Sequence, residues 1–186
     1  MKYITIILLA WLSTTYQTGQ NLYVCKNAKL SLYSSAPIED IKAETQSGAS
    51  VYNASTGELD FSLVISSLQF EKAFMQQHFN SDYMESDKYP RATFKGKILE
   101  PVDATKDGTY PVNVKGELTV HGVTRARTIQ GSLTVKNGVI IMASEFMVKC
   151  GDHRIDIPQI LFYHIAESIK VTVSATFFRY QNTPSK

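Results

Sequence analysis

Residues 70–98 read FEKAFMQQHFNSDYMESDKYPRATFKGKI, a short helix joined to a strand through a tyrosine-rich connection. Phe70, Ala73, Phe74 and Gln77 recur at spacings of three, four and seven and gather on one helical stripe, while Glu71, Lys72 and Gln76 face elsewhere. Ser66 and Gln69 stand at capping-box spacing just ahead of that stripe and predict where the helix starts. Pro90 fixes its own φ and drives Tyr89 towards extended geometry, so the helix ends before it. Beyond it, Ala92, Phe94, Gly96 and Ile98 alternate with Thr93, Lys95 and Lys97, the period of a half-buried strand.

On both sides of this stretch the chain reads as strand after strand. Upstream, Leu59, Phe61, Leu63 and Ile65 alternate with Glu58, Asp60 and Ser62, after short extended segments at 22–26, 28–34, 41–45 and 49–52 and a Thr56-Gly57 turn. Downstream of an Asp107-Gly108 turn, Tyr110, Val112, Val114, Gly116, Leu118 and Val120 make one long alternating face, followed by a strand at 124–135. Asn137-Gly138 between Val135 and Val139 is the strongest two-residue hairpin signal, and strands at 140–149 and 169–177 complete the set. The sequence has one helix and about eight strands, without the crossover helices that parallel pairing requires, so the sheet is expected to be antiparallel. An up-and-down barrel closes such a sheet without leaving edges; a two-layer sandwich accommodates the same strands.

Lys2 and a short apolar run at 3–12 open the chain, with small and polar residues as far as Gln20. The run is about half the roughly 20 residues needed to span a bilayer. Residues 1–20 are therefore expected to be a secretory signal peptide cut near 18–20, leaving a periplasmic or secreted protein without stable membrane insertion. An uncleaved N-terminal anchor is the alternative. The remaining ~166 residues suit a single domain, expected at 21–180, with a frayed tail at 181–186. Charge is nearly balanced, 19 basic against 17 acidic residues in the whole chain, and the basic residues are spread out; nothing calls for nucleic acid.

Two cysteines, Cys25 and Cys150, invite a disulfide in an exported chain, or two buried thiols acting as small hydrophobes. The four histidines, His78, His121, His153 and His164, lack the spacing of a metal site, and no nucleophile elbow, phosphate loop or dinucleotide fingerprint is present. Asp152 and His153 near Cys150 are the one arrangement that spells nucleophilic catalysis on paper, but neighbours in one hairpin loop are more often plain surface polarity. His121, before Gly122, reads as an imidazole bonded to backbone at a strand end. Asn53-Ala54-Ser55 matches a glycosylation sequon.

His78-Phe79-Asn80, Tyr83-Met84 and Lys88-Tyr89-Pro90-x-Ala92-x-Phe94-x-Gly96, followed by Gly116-Glu117-Leu118-Thr119-Val120-His121-Gly122-Val123-Thr124, resemble the YceI-like family over residues 22–178. The chain differs from many relatives at Cys25-Lys26-Asn27-Ala28 and at Phe74-Met75-Gln76-Gln77. The resemblance implies an exported bacterial domain with a lipocalin-like antiparallel β-barrel and no catalytic role. It also implies an elongated apolar interior that holds an isoprenoid lipid or quinone as the partner, with no other cofactor. The walls of such a cavity are expected from Leu59, Phe61, Leu63 and Ile65, from Phe94 and Ile98, and from Leu118 and Val120. Phe70 and Phe74 would cap it from the helix, His78 would meet the ligand head or else pack the helix, and Lys88, Arg91 or Arg125 would supply donors at the mouth or else stand as solvated surface charges. A filled barrel acting as an envelope stress or interaction module satisfies the same alternation.

Overall fold

The computed structural model describes residues 21–35, 40–157 and 166–181; the expected signal peptide and, Gln181 apart, the expected tail lie outside them. Among the described residues nine strands run in chain order: β1 (Leu22–Ser34), β2 (Ile41–Asn53), β3 (Glu58–Val64), β4 (Gln69–Phe70), β5 (Arg91–Ile98), β6 (Gly108–Val120), β7 (Val123–Lys136), β8 (Val139–Lys149) and β9 (Ser168–Arg179). The eight long ones pair antiparallel in the order β1-β9-β8-β7-β6-β5-β3-β2, and β2 returns to β1. Neighbours in sequence are neighbours in space, so the sheet is a closed up-and-down barrel, and the sandwich is excluded.

Two pairs of short segments in the sequence prove to be single strands. Lys26 and Asn27 are both exposed and interrupt the alternation of β1, and Gln46 and Ser47 do the same in β2. The β1–β2 register shifts between Cys25 and Ala28 and again between Ala28 and Leu30. Such bulges bend a strand without ending it, which two long strands in a small barrel require.

The helix is shorter than the stripe predicts. Gln69 and Phe70 pair with Glu44 and Ala43 of β2, and Ser66 lies in a 3₁₀ turn, Ile65–Ser67, so the expected capping box does not form. α1 spans Ala73–His78 from an extended Lys72, and a π turn, Phe79–Tyr83, continues it. Strand pairing took Phe70 out of the helix: two residues in register with β2 outweigh one weak helix start.

Two hairpins close through left-handed residue pairs: Asn137-Gly138 (φ 50° and 75°) and His121-Gly122 (φ 51° and 70°), the second joining Val120 to Val123. These turns and strand directions define two ends. The 54–57 turn, the 99–107 loop and Asn137-Gly138 lie at one end; α1, His121-Gly122 and the Cys150–His153 3₁₀ turn lie at the other. At the first, Tyr23, Tyr52 and Phe177 are buried, with ring centroids 6.3 Å (Tyr23–Tyr52) and 6.5 Å (Tyr52–Phe177) apart. This aromatic plug closes that end.

Candidate ligand cavity

Above the plug the interior is hollow. A cavity of about 690 Å³ opens at the α1 end, within the range of about 300–1,000 Å³ typical of small-molecule sites. On β6 its lining runs from Val112 to Val120. Eight residue steps are about 27 Å along the strand, or roughly 20 Å along an axis inclined at ~40°. The space is long, narrow and apolar.

Ten of the eleven residues expected at the ligand site line this cavity. Leu59, Phe61 and Leu63 come from β3 and Ile65 from the turn after it, Phe94 from β5, and Leu118 and Val120 from β6. Phe70, Phe74 and His78 stand at the mouth. Phe70 does so from β4 and stacks on Phe79 at 4.8 Å, whereas Phe74, on α1, is 71% exposed on the rim. Ile98 is the exception. It faces inward in register with Val114, which lines the cavity, but is itself buried outside the lining. A Cβ on Gly96 would sit 2.8 Å from Phe94 Cε1, so the Phe94 ring lies across the bare glycine between the cavity and Ile98.

The other half of the wall was not singled out from the sequence. It comes from Leu30 and Leu32 on β1, Ile41 and Ala43 on β2, Met142, Phe146 and Val148 on β8, and Val171 and Val173 on β9. The signal was the same alternation already present along those strands.

Polar groups gather at the mouth. His78 Nδ1 pairs with Asp82 one turn on, and the Phe74 ring meets the imidazole edge-on at 4.2 Å. Hydrogen bonds from Ser81 and then His78 hold the exposed Asp82 carboxyl below the usual carboxylate range. Burial, and then Asp82, push the Tyr83 phenol up. The donors expected for a head group lie elsewhere. Lys88 stands over the Tyr89 ring and 3.7 Å from Glu85, Arg91 donates to Ser62 Oγ, and Arg125 Nε donates to the Asp152 carbonyl at 2.8 Å. None of the three lines the cavity, whereas Lys72 does, beside His78. For Arg91 the reason is alternation, which turns it away from the side that Ala92 and Phe94 share.

His121 ties the mouth together. Its Nδ1 donates to the His153 carbonyl at 3.2 Å, the backbone contact the sequence predicted, and Nε2 lies 2.9 Å from Glu85 Oε2 with the Tyr89 ring edge-on at 4.5 Å. The helix–β5 connection is thereby fastened to the β6–β7 turn. Cys25 and Cys150 are free buried thiols at opposite ends of the barrel, so no disulfide joins them. Burial pushes the Cys150 thiol up to about 11, and His153 Nδ1 donates to the Val123 carbonyl at 2.9 Å. A thiol held protonated is a poor nucleophile, and the arrangement does not have the form of a Cys-His dyad.

The model of the YceI-like domain matches residues 28–177. The chain belongs to the YceI-like family. Solved structures similar to this YceI-like domain include a polyisoprenoid-binding domain from Saccharophagus degradans implicated in plant cell wall breakdown, at 15% identity and TM-score 0.73 over 87% of this chain and 99% of that one. BcnA of Burkholderia cenocepacia is 13% identical, with TM-score 0.68 over 80% of this chain and 95% of its own. A YceI protein of Campylobacter jejuni is 18% identical, with TM-score 0.54 over 95% and 97%. At such identities these are likenesses of fold. No curated protein sequence matches the chain.

Proposed function

We propose that this YceI-like domain is a non-catalytic carrier that holds one isoprenoid-type lipid or quinone in its barrel, acting in the periplasm or outside the cell after removal of residues 1–20. The observation that carries the reading is the apolar cavity of about 690 Å³. A hole of that size is not a packing defect: sealed and dry, at ~24 cal/mol per Å³ it would cost about 16 kcal/mol, above the ~5–15 kcal/mol of a whole domain's stability. A core meant to be filled would have larger side chains where Ala43, Ala92 and Ala175 line the space. The similar fold described as a polyisoprenoid-binding domain supports the same ligand class.

Binding by such a site is partition. A prenyl unit has five carbons, worth about 4 kcal/mol at ~0.8 kcal/mol per buried carbon before ordering costs, so two or three units suffice for useful affinity. The wall supplies area, and few directed bonds are needed.

Native mass spectrometry of the processed protein purified from its own host, followed by organic extraction, tests the reading. A stoichiometric adduct with the mass of a prenyl lipid or quinone is expected. Protein that is bare, and stays bare after incubation with such lipids, refutes the carrier and leaves an interaction module.

A further inference from the structure

The barrel wall is not closed along its whole height. β6 and β7 pair as far as Val120 with Val123, and β8 and β9 as far as Lys149 with Ser168, but the β7–β8 ladder stops at Gly131 and Ser144. Towards the mouth, residues 123–130 of β7 and 145–149 of β8 are not paired with each other. The five residues of β8 alone leave a slit about 17 Å long. At its apex Ser144 Oγ donates to the Gln130 carbonyl at 2.6 Å, a side chain standing where a backbone bond would continue the ladder. At its top the Cys150–His153 turn returns to β7 through the His153 bond to Val123.

The cavity reaches this slit. Gln130, Gly131 and Ser132 all line it, as do Ala143 and Ser144. Gly131 and Ser144 are the last pair of the β7–β8 ladder, so the lining reaches the point where the two strands part.

Two arginines span the break. Arg125 is in register with Leu118 and Arg127 with Gly116, so both have the inward parity of the cavity-lining residues on β6. Arg127 Nη1 crosses to the Met147 carbonyl at 2.6 Å, and its Nη2 stands 4.0 Å from the Asp152 carboxylate, while Arg125 Nε holds the Asp152 carbonyl. Two guanidinium charges therefore face one carboxylate. Glu145, on the outer side of β8, is matched by Lys170 at 3.7 Å. Neutral carbonyls are the main partners of the slit's two arginines.

We propose that the β7–β8 slit is a head-group site, in which Arg127 and Arg125 exchange their carbonyl partners for the anionic oxygens of a single-chain amphiphile, a carboxylate or a phosphate, whose apolar chain fills the barrel. This rests on the carrier reading and adds to it the place and charge of the head. An ionic acceptor bonds a guanidinium more strongly than a backbone carbonyl does, which drives the exchange. The geometry also separates this site from the mouth, where Lys72 and His78 stand.

The test compares probes that differ only in the head: farnesyl phosphate against farnesol, and hexadecanoate against hexadecanol. In the wild-type protein the anionic member of at least one pair is expected to bind roughly tenfold tighter, and the pair that shows it tells phosphate from carboxylate. Arg127→Gln brings that ratio to near one, Arg127→Lys restores part of it, and Arg125→Gln, at an exposed side chain, lowers it without endangering the fold. Equal affinities within both pairs overturn the proposal. So does a preference that survives Arg127→Gln with Arg125→Gln but is lost in Lys72→Gln, which would put the head at the mouth. Wild-type protein that takes none of the four probes refutes the carrier reading itself, a different result from binding without head preference.

Discussion

Replacing Phe61 by aspartate tests the cavity where its wall is most dependent on one ring. Phe61 sits on β3 opposite Ser50 of β2 and Phe94 of β5, and a Cβ on Gly48 would lie 3.0 Å from its Cζ, so the ring covers a bare stretch of β2. Phe61→Asp removes about 40 Å² of apolar contact with a bound chain, about 1 kcal/mol at ~25 cal/mol per Å². It also places a carboxylate that a ligand must cover without offering it a hydrogen bond, at a cost of about 3 kcal/mol or more. The sum is ~4 kcal/mol, a loss of roughly a thousandfold in affinity. An apolar wall raises a carboxyl pKa, and the neutral acid is cheaper to cover, so affinity should recover in part as pH falls through that raised value. Displacement of a fluorescent apolar probe by farnesol, near neutral pH and about two units lower, measures both effects. Phe61→Leu should stay within roughly tenfold of wild type, because it conserves an apolar wall. A folded Phe61→Asp barrel that binds farnesol as the wild type does would refute the cavity as the binding site.

Two further outcomes probe the barrel itself. Burial, and then Tyr23, raise the Tyr52 phenol above its ordinary value of 10.0. The unfolded chain therefore releases that proton first, and this contribution to stability is complete below about pH 10 and falls as pH climbs through the folded value. Thermal melts across that window should show Tyr52→Phe gaining on wild type, and parallel pH profiles would remove Tyr52 from the alkaline loss. At the other end, the Cys150 thiol at about 11 should alkylate far more slowly in folded protein than a free thiol near neutral pH, and become reactive on unfolding. Rapid labelling of Cys150 in the native state would contradict its burial, and a mass change of two hydrogens on reduction would contradict the two free thiols.

Much of the fold is local and so was written in the sequence. Alternation at period two fixes which residues of a strand share a face, whatever that strand pairs with, and Leu59, Phe61, Leu63, Phe94, Leu118 and Val120 all lie on the inner face accordingly. Asn137-Gly138 could close only a tight hairpin, because both residues sit at positive φ. The YceI-like motifs carried the family and, with it, the closure into a barrel.

What depended on distant partners was not legible. Lys26-Asn27 and Gln46-Ser47 break the alternation in the way strand ends do, and only the pairing of β1 with β2 makes them bulges. Gln69 and Phe70 fit a helical stripe until β2 offers them a ladder. Ile98 alternates correctly, yet the Phe94 ring over Gly96 screens it from the cavity. The same inward alternation fills a core or lines a cavity. Which occurs is set by where bulk accumulates around the closed ring, here in Tyr23, Tyr52 and Phe177 at one end. The slit was invisible for the same reason: β7 and β8 each carry a continuous strand pattern, and the point where they part is a property of their pairing, which only the closed barrel decides.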